Sequence, residues 1–382
     1  MKKRMMLFAG LVGASALPFG SATAQETLTV LTAGDQNMVD YINEYLGPKF
    51  EETHPGVTVE AVGTGPGDAG SQMIYERLAA QSQAGTAETD FDVAVVHQKM
   101  AGQMVEEDLL ASYRDEIETG SLVTRDTADT ALGTDVKGFV MPMFHSQTAI
   151  AYNPALVPNP PQTYDELVTW VKENPGQFGY NGIKGGMSGV SFVMGWMYAF
   201  TNDAPQLMNG PFDESVTDDW DRVLGDLAEF NKNIVFTPGN AGTLDMLNRG
   251  EIAMGPVWID MFYTWQSDGR LAPDLKITLI GPGMPGQPMY YVVPAKSPNL
   301  DLAEEFVALA TGPEVQAEGI VERFNWYPGI DAEHVKAQLD QATWDKLFLD
   351  VTPEDLAEKG KPFPIGPYFD AILEAYERQA TN

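Results

Sequence analysis

Between Leu28 and Val96 the hydrophobic pattern changes period four times, and this alternation restricts the fold more than any other feature of the chain. Leu28–Ala33 is rich in β-branched residues and stops at Gly34-Asp35, as a strand does. From Met38 to Glu52 the apolar residues Val39, Ile42, Tyr45, Leu46 and Phe50 recur at helical spacing, and His54-Pro55-Gly56 ends the run. Val57–Val62 is a second strand, a glycine-rich loop covers 63–71, a helix follows from about Gln72 to Gln83, and Phe91–Val96 is a buried strand. Strand, helix, strand, helix, strand predicts a doubly wound α/β unit, in which ligands collect at the carboxyl ends of the strands.

The N-terminus predicts export. Met1-Lys2-Lys3-Arg4 is cationic, Met5–Phe19 is apolar, and Ala22-Thr23-Ala24 forms a small-residue cleavage site before Gln25. That layout is a secretory signal peptide over residues 1–24, with a core too short to span a bilayer. Removing it from the 382-residue chain leaves 358 residues, too many for one compact core and enough for two lobes. The chain has no cysteine, which excludes disulfides, thiolate chemistry and a cysteine-linked lipid anchor. The expected location is therefore the periplasm, free of the membrane. With 20 basic and 54 acidic residues the mature part carries a net charge near −34, which excludes nucleic acid as a partner. The charges are dispersed, so they favour solubility without identifying a ligand.

The middle of the chain restarts the pattern, with no internal repeat. Gly138–Pro142 and Thr148–Tyr152 read as two strands joined by 143–147, and Thr163 caps a helix from about Tyr164 to Glu173. Helices are predicted over 190–200, 218–231, 241–249 and 302–311, and strands over 252–257, 275–280 and 289–294.

Several segments together resemble a known family. Leu28-Thr29-Val30, His54–Glu60 (HPGVTVE) and Phe91–Val96 (FDVAVV) look like the first lobe of family-1-like type II extracellular solute-binding proteins. Ala149–Val157 with Pro160–Phe178, then Arg249–Trp258, look like its second lobe, and Val292–Gln316 looks like the return to the first. The resemblance implies a two-lobed periplasmic-binding-protein fold, each lobe a doubly wound sheet flanked by helices, with ligand in the cleft between them. It also implies a monomeric receptor without cofactor that closes on a small solute and delivers it to the membrane permease of an ABC importer. The crossings are placed near Phe144–Ala149 and Met289–Val293. Lobe 1 is then 25–145 plus 290–325, lobe 2 is 149–288, and the helices of 326–382 pack on lobe 2 and the hinge.

Candidate ligand residues follow from position. Trp258 and Asp260 come directly after the strand 252–257, where alternation in an extended segment puts both on one face. Tyr290 and Tyr291 sit at the second crossing, and Trp326 and Tyr327 in a loop before Pro328; each ring either stacks on a solute or packs the core. Asp35 and Gln36 follow the first strand, and His97 and Gln98 follow the strand 91–96. Asp68 and Ser71 belong to the glycine-rich loop, where Ser71 either meets a solute or caps the next helix; no Gly-Lys-Ser/Thr follows, so this is not a P-loop. His145 is a ligand contact or a hinge residue, and Ser188 lies in the turn 185–189 as the second-lobe counterpart. The four histidines are scattered, with no H-E-x-x-H and no Gly-x-Ser-x-Gly, so no enzyme and no resident metal is expected. A sugar or polyol is the leading ligand class. A cationic amine (a polyamine or quaternary ammonium compound) comes second, then an anion held near Arg77 or Arg323, with a metal bound through Tyr290-Tyr291 last.

Overall fold

β1 (Glu26–Ala33), β2 (Val57–Gly65) and β3 (Val93–Val96) form where the β-branched runs predicted them. They pair in parallel in the order β2-β1-β3, with Glu26 opposite Val57 and Val30 opposite Val93. The helix Gly67–Gln83 covers them with Ile74, Leu78 and Ala79, and Gln98–Glu106 adds Met100, Ala101 and Met104. In this computed structural model residues 26–65, 67–125 and 128–380 are described, so the signal-peptide reading of 1–24 lies outside them. The helical run expected over 38–52 is broken into Gln36–Tyr41, a π-helical turn Ile42–Leu46, and Gly47–Thr53. Pro48 supplies the reason: it has no N–H to donate to the preceding turn, and the ladder absorbs an extra residue beside it.

After the small hairpin β4 (Thr130–Ala131) and β5 (Thr134–Asp135), the chain enters β6, a single 13-residue strand Val140–Tyr152. This corrects the reading of two strands joined by 143–147, because Phe144-His145-Ser146 do not turn but carry the strand from one half of the molecule into the other. β7 (Gly179–Tyr180) pairs with β8 (Val235–Phe236) at one edge, and β9 (Met254–Trp258), β10 (Lys276–Thr278) and β11 (Met284–Val292) follow. β11 begins five residues before the expected 289 because Pro285, Gly286 and Pro288 read as loop residues, yet the strand passes through them, with Gly286 and Pro288 paired to β6 and Pro285 to Lys361. The short β12 (Tyr327–Pro328) and β13 (Gly360–Lys361) complete a nine-stranded sheet among the described residues.

That sheet is continuous because β6 belongs to both halves. Residues 140–147 pair with β11, which leads through β3 and β1 to β2, whereas 148–152 pair with β9 and 150–152 with β10. The apolar core continues on the β9–β10 side. There Phe192 packs 4.8 Å from Tyr180 and 5.3 Å from Phe178, and Trp196 packs 5.2 Å from Phe230 while donating 2.9 Å to the Val223 carbonyl. Buried Gln316 ties a third connection to the crossing: its amide donates to the Met143 carbonyl at 3.0 Å and accepts from Gly329 N–H at 2.7 Å. The helix Ala332–Lys336 packs against 313–323, and Gly366–Gln379 packs on the helix Trp220–Asn231. Asp370 of that last helix pairs with Lys99 on the opposite half.

Candidate ligand site

A cavity of about 540 Å³, counted with its open mouth, lies where the two halves face each other. One wall is the segment after β1, with Gly34, Asp35, Asn37 and Met38, joined by Gly67 and by His97 after β3. The floor comes from the crossing strands, Phe144 and Ser146 of β6 with Gln287 and Met289 of β11. Each of these pairs has the i, i+2 spacing that places side chains on one face of a strand. The opposite wall holds Met187, Asn240, Trp258, Asp260 and Met261.

Trp258 and Asp260 do share the cavity, though not by strand alternation. β9 stops at Trp258, which caps the helix Ile259–Ser267, and Asp260 stands in its first turn. There the Asp260 carboxylate accepts from the Ser146 hydroxyl and lies near backbone N–H groups, so it is held in place before any ligand arrives. Burial nevertheless dominates, and with the charge of Asp35 across the cavity it pushes the Asp260 carboxyl up to about 6 despite those hydrogen bonds. Burial also raises Asp35. Although Asp35 occupies the position before the helix Gln36–Tyr41, its carboxylate makes no capping bond to that helix. Burial lowers His97, with Asp68 partly opposing the shift, so its imidazole is neutral at pH 7. Among the lining residues there is no Lys or Arg.

Of the residues singled out in the sequence, Asp35, His97, Trp258 and Asp260 line this cavity and the others do not. Several stand one layer behind it. Ser71 lies inside the helix Gly67–Gln83 rather than capping it, and its hydroxyl accepts the His97 N–H at 3.0 Å. Asp68 is 4.0 Å from the His97 ring. Ser188 donates to Asn240 at 2.7 Å, and Trp326 packs 4.5 Å from Phe144. Tyr290 and Tyr291 are fully buried in β11 between β3 and β6, and Tyr290 donates to the Thr130 carbonyl. Gln98 is buried at the start of its helix beside Tyr290. Tyr327 stacks on Phe348 at 5.5 Å, exposed Gln36 bonds Asp40, and half-buried His145, near Arg125, has its imidazole held down at about 4 mainly by desolvation. No cluster of three or more metal-binding side chains exists among the described residues, and no described helix is long and apolar enough to cross a membrane.

Apart from Gly34 and Gly67, the lining residues that sequence reasoning missed are Asn37, Met38, Phe144, Ser146, Met187, Asn240, Met261, Gln287 and Met289. For 144/146 and 287/289 a signal existed, namely period 2 through the predicted crossings. Asn240 has none: it stands just before the helix predicted over 241–249, and nothing in the sequence tells which side of that helix start faces the cavity.

The architecture is that of two-lobed periplasmic binding proteins. Maltose-bound MalE3 of T. maritima superposes with a TM-score of 0.72 at 16% identity, covering 93% of this chain and 95% of that one. The spermidine/putrescine ABC-transporter substrate-binding protein PotD of Streptococcus pneumoniae gives 0.66 at 16% identity, covering 93% and 100%. The structure named as the Atu4243–GABA receptor gives 0.64 at 18% identity, covering 93% and 98%. At these identities the likeness speaks for the fold alone. No match by sequence is found among curated proteins. Residues 46–355 match the family described as bacterial extracellular solute-binding protein, and the chain belongs to that family. Its class of work is accordingly the capture of a solute for ABC-type import.

Proposed function

We propose that this chain is a monomeric, non-catalytic periplasmic receptor that encloses a cationic amine between lobes 25–145 plus 290–325 and 149–288, and presents it to an ABC permease. The observation that carries the ligand class is the charge of the cavity: Asp35 and Asp260 enter from opposite walls, and no lining Lys or Arg balances them. A carboxylate withdrawn from water without a counter-charge is costly, and a bound cation removes that cost for both groups at once. Trp258 and Phe144 supply aromatic faces for the same charge. The sequence put a neutral polyol first on the strength of its aromatics and amides; the facing carboxylates favour the cation. The solved relatives include proteins named for spermidine/putrescine, GABA and maltose, so the fold alone does not choose. A thermal-shift panel of short amines, neutral sugars and polyols, and anions tests the reading. Amines should raise the melting temperature, since ligand binding stabilises only the folded state. Stabilisation by a sugar with none by any amine refutes the cation reading, and chemical turnover of a bound solute refutes the receptor reading.

A further inference from the structure

This inference rests on the cation reading and concerns which cations enter. Three residues with acceptor oxygens line the cavity. The Asp35 carboxylate makes no bond to the helix it precedes. The side-chain oxygen of Asn37, two residues on, is buried with no hydrogen-bond partner. Asp260 already has the Ser146 hydroxyl and the backbone N–H groups of 260 and 261 as donors, and of the roughly four lone-pair sites of a carboxylate this leaves room for a ligand N–H. Two of these three come from a single short segment of the first lobe, and the third reaches them from the second. A protein rarely leaves a buried amide oxygen without a donor, because the group loses its water and gains nothing in return. The missing donor is therefore expected on the ligand, and it must coincide with positive charge to satisfy both carboxylates.

We infer that the receptor takes solutes whose cationic head carries N–H groups, a primary ammonium above all, and that Asn37 is the residue that turns away quaternary ammonium ions. A primary ammonium offers three N–H donors, one for each of Asp35, Asn37 and Asp260. A trimethylammonium head carries the same charge and suits Trp258 equally well, but its methyl groups donate nothing. It leaves the Asn37 oxygen and the free Asp35 lone pairs dry and unbonded, which is a selectivity by unsatisfied polar groups.

Titration calorimetry with butylammonium, butyldimethylammonium and butyltrimethylammonium, repeated with hydroxyl, carboxylate and ammonium groups at the far end of the chain, tests this. In whichever series binds, affinity should fall by about tenfold or more from the primary to the trimethyl head. Asn37→Leu, close in volume and without an acceptor, should bring that ratio to about threefold or less. The wild-type series alone is decisive if the variant folds poorly. Equal or tighter binding of the trimethyl head overturns the inference, as does a ratio unchanged in Asn37→Leu. If no ammonium ion of any series binds while polyols do, the cation reading itself has failed and takes this inference with it.

Discussion

Asp260 sets the terms at the scale of single residues. A cation binds its ionised form, so with the carboxyl near 6 the affinity should be flat above about pH 7 and fall about tenfold per pH unit below 6. Asp260→Asn should abolish that slope and weaken binding ten- to hundredfold at pH 8, the value of a charge-assisted contact of about 1.5–3 kcal/mol. Without ligand the sign reverses. The folded carboxyl is raised from 3.8 to about 6, so between those values the folded state binds more protons than the unfolded one, and this group's contribution to stability is lost as pH rises through 6. Unliganded Asp260→Asn should therefore melt about 2–5 °C above the wild type at pH 8, with the difference vanishing near pH 4. A variant less stable than the wild type at pH 8 would show that the buried charge is already compensated. Trp258→Ala should cost about thirtyfold in affinity, from a desolvated cation–π contact of about 2 kcal/mol. Asp35, His97, Trp258 and Asp260 were legible because each stands at the end of a strand or within two residues past it, where α/β folds gather their ligands. Ser71, Ser188 and Trp326 were placed one layer too close, because a linear sequence gives position along an element but not depth behind its surface.

Among the elements, regular strands and amphipathic helices were readable to within a few residues wherever one period ran uninterrupted. The helix Tyr164–Glu173, with Thr163 accepting the Glu166 N–H at 3.2 Å, is such a case. The crossing strands were not, because buried polar and Pro/Gly residues there mimic a loop. Gly286 shows what the crossing demands. A Cβ there would stand 2.7 Å from the Ser146 carbonyl oxygen and 2.5 Å from the Gln147 side chain, in the space between β11 and β6. Gly286→Ala should destabilise the protein by about 1–3 kcal/mol, read from urea unfolding, since backbone cannot step aside as a flexible side chain can. Gly225 is the contrast: it lies inside the helix Trp220–Asn231 with open space where a Cβ would go. Gly225→Ala should stabilise by about 0.5–1 kcal/mol. Equal effects of the two substitutions would mean that packing at the crossing is looser than the strand pairing indicates.

At the scale of the whole molecule the facing carboxylates bear on closure. The structure is a closed one: a Cβ added at Gly67 would come 3.9 Å from the Gly186 Cα across the cleft, and Lys99 reaches Asp370 at 2.5 Å between the halves. The Lys99–Asp370 pair is partly exposed and contributes little, about 0–1 kcal/mol. Against it stands the cost of bringing Asp35 and Asp260 into one low-dielectric cavity, which falls most heavily on the closed form. An open cleft restores water to Asp35 and separates the two charges, while Asp260 stays largely buried beside Ser146. Only a bound cation, or the proton that Asp260 takes up below about pH 6, relieves them with the lobes together. Closure should therefore respond to charge rather than to occupancy alone. Small-angle scattering at pH 8 should give a larger radius of gyration without ligand than with a saturating amine, and acidification to pH 5 without ligand should move the unliganded curve toward the liganded one. Asp35→Asn combined with Asp260→Asn should close at pH 8 with no ligand present. An unliganded wild type already as compact as the liganded form at pH 8 would show that the carboxylates do not hold the lobes apart.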